Sequence, residues 1–160
     1  MKRLLLAFSL LCSFQLIADD SIGIRPFVTD GCSAFPDGTL ADRQRWQDCC
    51  IAHDSAYWAG GSKDDRKAVD EAFAQCIAEH SDIRLSEAMR IGVRFGGSPI
   101  FPTSYRWGYG WPFWRGYAPL TEQEKQQIID AIDRMPPDAL EVRNEWQLLD
   151  FSGWKKPPIK

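Results

Sequence analysis

The chain has 160 residues with a formal net charge of −3, and 44% of its residues are hydrophobic, which suits one compact folded domain. The mild acidity argues against a nucleic-acid partner, which favours a basic field. No internal repeat or low-complexity segment is present.

The N-terminus reads as an export signal. Lys2 and Arg3 precede an apolar stretch from Leu4 to about Leu16, and Ala18 stands before Asp19-Asp20. Cleavage after Ala18 gives a signal peptide over 1–18 and a single domain over 19–160, with its core at 30–80 and a divergent part at 81–160. The apolar run is shorter than the ~20 residues of a bilayer span. Membrane contact is therefore expected to be peripheral. Without Lys2 and Arg3, 17 basic residues face 22 acidic ones, a charge of about −5.

Removing Cys12 with the signal leaves Cys32, Cys49, Cys50 and Cys76. Four cysteines allow three pairings, and neighbours on a helix cannot easily satisfy disulfide geometry with each other. The remaining choices are Cys32–Cys50 with Cys49–Cys76, or the crossed pair. A structural zinc site is the competing reading, disfavoured in an oxidising compartment.

Ala41 to Ala59 suits a helix, ended by Gly60-Gly61, since a C-terminal glycine accepts the left-handed conformation. Ser62 offers an N-cap, with Asp65 three positions on making an imperfect capping box, for a second helix over about Lys63–Glu79. The short connection makes the pair antiparallel neighbours. If Cys49 faces Cys76, positions summing to 125 lie level, and the midpoint falls in the turn at 62–63. His53 is then level with Ala72 and Tyr57 with Ala68. Asp70 lies between them, placed to accept a hydrogen bond from either ring.

At about 100° per residue, Cys49, His53 and Tyr57 form one stripe, while Cys50 and Asp54 turn away together. The first stripe meets the second helix, and the other pair meets the loop holding Cys32. This phase favours Cys49–Cys76 with Cys32–Cys50, and brings the Asp30–Gly38 loop against Asp54.

Further on, Ser86–Phe95 suits a third helix stopped by Gly96-Gly97. Thr121 with Glu124 caps a fourth reaching about Met135, before Pro136-Pro137. Between them, Tyr105–Tyr117 is dense in aromatics. Trp107, Tyr109, Trp111 and Phe113 would share one face of an extended strand. These rings are expected to cover the helix hairpin as core, the alternative being an interfacial surface. Asp37 before Gly38 reads as a turn residue, and His80 as a capping or surface residue.

Cys49-Cys50, two residues, His53-Asp54, two residues and Tyr57 together resemble the hallmark of the secreted phospholipases A2, closest to their bacterial and fungal branch. Asp30-Gly31-Cys32, Pro36-Asp37 and the spacing of Asp70 to Cys76 resemble the same branch. The likeness covers residues 30 to 80. It implies a mainly α fold: two antiparallel disulfide-linked helices with a calcium-binding loop, here carrying an aromatic-rich C-terminal extension. It also implies calcium-dependent hydrolysis of a phospholipid acyl ester, at the sn-2 position, at a membrane interface. His53 would be the general base, Asp70 its orienting carboxylate, and Tyr57 a donor steadying Asp70. Asp54, the Asp30 side chain and the Gly31 carbonyl would hold Ca²⁺. The alternative is a non-catalytic, calcium-dependent lipid- or protein-binding module on the same hairpin. The glycine-rich calcium loop of the animal and venom enzymes is absent, replaced by Ser33–Gly38. An exported protein of this kind resides in the periplasm or is secreted.

Overall fold

The computed structural model describes residues 23–135; the expected signal peptide over 1–18 and the prolines at 136–137 lie outside them. Four α-helices and no strand occur among the described residues: α1 (Gln47–Ala59), α2 (Lys63–His80), α3 (Ile83–Gly96) and α4 (Glu122–Asp133). One 3₁₀ turn spans Phe113–Arg115. The protein is thus mainly helical. Two disulfides brace it, Cys32–Cys50 and Cys49–Cys76, the pairing favoured by helical phase.

α1 starts six residues later than expected. The preceding segment spends its donors on turns instead: Thr39 N–H donates to Asp42 O, and Trp46 N–H to Asp37 O. The Trp46 indole donates to Pro36 O at 2.8 Å. At the other end the helix stops where glycine permits it, with Gly60 at φ 70°. α2 opens on the full capping box, Ser62 accepting from Asp65 N–H and Asp65 accepting from Ser62 N–H. α3 begins at Ile83 rather than Ser86, because Asp82 caps it by accepting from the Arg84 and Leu85 amides. Ser86 serves a different purpose, donating to Ala74 O at 2.6 Å and so tying α3 to α2. α4 opens on Thr121 and Glu124 as expected and ends at Asp133, two residues early.

The aromatic segment departs most from expectation. It is a chain of turns, not a strand. Trp107, Tyr109 and Trp111 are buried, whereas Phe113 and Trp114 are exposed. Alternation arises because successive polar atoms reach back to the end of α1. Gly108 N–H donates to Tyr57 O and Gly110 N–H to Trp58 O. Trp111 Nε1 donates to Ala59 O at 2.7 Å and Trp107 Nε1 to Gly61 O at 2.9 Å. A helix leaves its last four carbonyls without partners, and these are buried where water cannot serve them. The loop supplies the donors. Core packing is therefore the role of Trp107, Tyr109 and Trp111; fully burying such a side chain contributes roughly 1.5–3 kcal/mol.

Two apolar clusters result. One joins Tyr57, Trp58, Val69, Trp107, Trp111 and α4 through Ile128 and Ile132. The other joins both cystines with Trp46, Phe73, Ile77 and Met89. His53 lies between them, its ring 4.2 Å from that of Tyr57 and 4.6 Å from that of Phe73.

Candidate functional site

Helix periodicity places His53 and Tyr57 one turn apart on α1, both facing α2, where Asp70 is wholly buried. His53 Nε2 lies 3.0 Å from Asp70 Oδ1, and Tyr57 Oη donates to the same oxygen at 2.7 Å. The contact the register anticipated is present.

Two arginines complete the cluster, and neither was anticipated. Arg94 Nη1 of α3 donates to Asp70 Oδ2 at 2.9 Å. Arg66 stands one turn before Asp70, with Nε 3.8 Å from Oδ2, and that Nε donates to Tyr57 Oη at 2.9 Å. Its remaining donors go to Tyr117 Oη and to the Val93 and Arg94 carbonyls. The i, i+4 spacing of Arg66 and Asp70 was the available signal. Arg94 arrives from a separate helix, so its position depends on tertiary packing.

Electrostatics follow from this arrangement. Burial works against the Asp70 carboxylate, but His53, Tyr57 and Arg94 outweigh it and hold the group below its usual range. Asp70 is therefore ionised at neutral pH, an acceptor for an imidazole N–H. Burial, and then the Asp70 charge, push the Tyr57 phenol well up, so it stays a hydrogen-bond donor. With Nε2 facing Asp70, Nδ1 is the atom left to act; no partner for it occurs among the described residues.

His53 lines a cavity of about 420 Å³, within the range of small-molecule sites. Its walls are largely apolar: Phe35, Phe73, Met89, Val93 and Tyr105 surround His53 and Asp54.

Asp54 is met by Thr29, the residue that leads into the Asp30–Gly38 loop expected there. Thr29 Oγ1 donates to Asp54 Oδ2 at 2.7 Å and accepts from Gly31 N–H at 3.1 Å. Asp54 is buried, and no lysine or arginine pairs with it among the described residues. Its carboxyl is pushed up to about 7, chiefly by burial, with the Thr29 hydrogen bond opposing and the Asp30 charge adding to the rise. Asp30 itself is exposed and accepts from Ser33 Oγ at 2.8 Å. Gly31 has φ 74°, and a Cβ there would collide with Asp37 Oδ1. That oxygen accepts from Cys32 N–H at 2.7 Å. Asp37 therefore braces the loop, a structural role consistent with a turn residue.

The polar neighbours recorded at Asp54 are oxygens: the Thr29 hydroxyl at 2.7 Å and, more loosely, the Asp30 carboxylate, whose charge it feels. That set suits a hard divalent cation such as Ca²⁺, and a buried carboxylate lacking a cationic partner supplies the charge to hold one. A zinc site on the cysteines is a different matter. Cys49, Cys76 and His80 lie close enough together to suggest a metal, but both sulfurs are committed to a disulfide, so no thiolate is available. His80 instead ends α2, its carbonyl accepting from Arg45 Nε at 2.6 Å.

The chain matches no protein-family model, no curated protein and no solved structure.

Proposed function

We propose that this protein hydrolyses an acyl ester of a phospholipid, with water as the nucleophile and calcium as the cofactor; its resemblance to the secreted phospholipases A2 points to the sn-2 position. One observation carries the reading: His53, held through Nε2 by a buried, ionised Asp70, opens onto an apolar cavity that also presents Asp54. A base, an acyl-sized space and a candidate cation site meet there.

His53 Nδ1 takes a proton from water as the water oxygen attacks the ester carbonyl carbon. Asp70 accepts the Nε2–H bond throughout and stabilises the charged ring. Tyr57 and Arg94 keep that carboxylate fixed. The ester C–O bond then breaks, and Nδ1 returns the proton to the departing lysophospholipid oxygen. Asp54, the Asp30 side chain and the Gly31 carbonyl would hold Ca²⁺, which when bound polarises the carbonyl and offsets the negative charge developing on its oxygen.

The cavity rim supports approach from a membrane. Gly92, Val93 and Gly96 line it, and the adjoining Ile91, Phe95 and Ile100 are exposed. Contact is peripheral in this reading; no helix among the described residues is long and apolar enough to cross a membrane. The two disulfides point to an oxidising compartment, and so to a periplasmic or secreted protein.

Fatty-acid release from phosphatidylglycerol vesicles tests the reading. His53→Gln should reduce release by about 10²–10⁴-fold, the usual worth of a general base, in protein that is still fully folded at the assay temperature, and EDTA should abolish it. Release indifferent to both treatments overturns the mechanism. Wild-type protein that releases nothing, yet sediments with vesicles only in calcium, is a lipid-binding module instead.

A further inference from the structure

A second cavity, about 470 Å³, lies on the other side of the Thr103-Ser104 segment, which lines both. It is built differently from the His53 cavity. Arg25 and Arg106 face it together with Tyr109, Phe113 and Trp114. Arg106 is buried, and its Cζ sits 5.2 Å from the centre of the Phe113 ring.

Neither arginine pairs with a carboxylate among the described residues. Arg106 donates through Nη1 to Trp107 O and Gly108 O, and through Nη2 to Trp111 O at 2.8 Å. Arg25 donates through Nη2 to Tyr109 O at 2.6 Å and to Trp111 O. Both guanidiniums thus converge on the Trp111 carbonyl and are held in place by main chain alone. Each guanidinium carries five N–H donors, so about half remain available. Burial, and then the charge of Arg25, push the Arg106 pKa down, which expresses a positive charge in want of an anion. Elsewhere among the described residues, buried guanidiniums have acidic partners: Arg66 lies beside Asp70, and the largely buried Arg115 pairs with Glu124.

We propose that this cavity binds a phosphate ester. Two converging guanidiniums match a group carrying up to two charges and three acceptor oxygens, more closely than they match a singly charged carboxylate. The Ser104 hydroxyl adds a donor at the wall, and the Phe113 and Trp114 rings supply an apolar flank for the esterified body. The site does not depend on the hydrolase reading. Its ligand is either the head group of a membrane lipid or a soluble phosphate ester.

Calorimetry in EDTA, which removes any cation from Asp54, separates these. The soluble probes are glycerol 3-phosphate and inorganic phosphate; the membrane probe is phosphatidic acid in phosphatidylcholine vesicles, against phosphatidylcholine alone. Arg25 is exposed, so Arg25→Gln should still fold, with a modestly lowered melting temperature from its lost bonds to Tyr109 O and Trp111 O, and weaken binding at least tenfold at temperatures where it is fully folded; Arg25→Lys should restore part of it. Arg90→Gln, elsewhere on the surface, should change nothing. Binding of soluble probes identifies a soluble ester, and binding only to phosphatidic acid vesicles identifies a lipid head group. No binding by any probe, or binding indifferent to Arg25→Gln, overturns the proposal.

Discussion

The two apolar clusters that share α1 solve the same burial problem with different chemistry. The cystine cluster and its His53 edge bury ionisable groups and covalent links: Asp54, Asp70 and both disulfides. The aromatic cluster buries neutral indoles whose N–H groups finish the end of α1. One region therefore carries the groups that answer to pH and redox state, and the other is built mainly of groups that answer to neither, with Tyr57 joining the two through its bond to Asp70. A molecule divided in this way keeps its scaffold constant while its site remains responsive.

The largest test of that division is pH. Asp54 is raised from 3.8 to about 7 in the folded protein, so between those values the native state keeps a proton that the unfolded chain releases. Its contribution is favourable below about pH 4 and is lost as pH rises to about 7. At 1.36 kcal/mol per pKa unit the loss is about 4 kcal/mol. Asp70 titrates outside this window: its carboxyl is lowered, so its contribution is present above 3.8 and disappears only as pH falls further. Urea unfolding in EDTA from pH 4 to 8 should show the wild-type curve falling relative to that of Asp54→Asn. Parallel curves would remove the buried carboxylate from the account. Calcium should stabilise wild type more at pH 8 than at pH 5, since cation and proton compete for Asp54.

Redox state comes next. Replacing Cys49 and Cys76 by alanine should cost about 2–4 kcal/mol, and replacing Cys32 and Cys50 only a few tenths less, because loop-closure entropy varies slowly between separations of 27 and 18 residues. The functional consequences should differ more than the stabilities. Cys32–Cys50 anchors the loop forming the Gly31–Phe35 wall of the His53 cavity, whereas Cys49–Cys76 pins the register of α1 on α2. Hydrolysis by the Cys32/Cys50 variant should therefore fall further, measured at equal folded fraction. Equal losses would mean the loop is placed by Asp37 alone.

How much of this could be read from the chain divides along the same line. The hairpin was legible because a cystine and a helical repeat fix register and phase with few unknowns: Asp70 meets His53 and Tyr57 as spacing requires. Arg66 was equally legible from its i, i+4 spacing and was missed. Arg94 and Thr29 were not legible, since each reaches the site across a tertiary interface that no local period encodes. The aromatic segment misled because period two is shared by strands and by any chain whose alternate residues turn inward. Its partners are the carbonyls of a helix end, over forty positions away in sequence.

That same feature supplies the smallest test and the sharpest contrast. Trp111→Phe keeps a ring in the core but removes the donor to Ala59 O, leaving a buried carbonyl unpaired at a cost of about 1–3 kcal/mol. Trp114, three residues on, is 78% exposed, and Trp114→Ala should stay within about 0.5 kcal/mol of wild type. Neither effect should change between pH 5 and 8, because no proton is taken up or released by an indole or a carbonyl in that range. Urea midpoints for both variants at the two pH values decide the matter. A pH-dependent Trp111 effect would show that the aromatic cluster is coupled to Asp54 through α1, and that the two regions act as one.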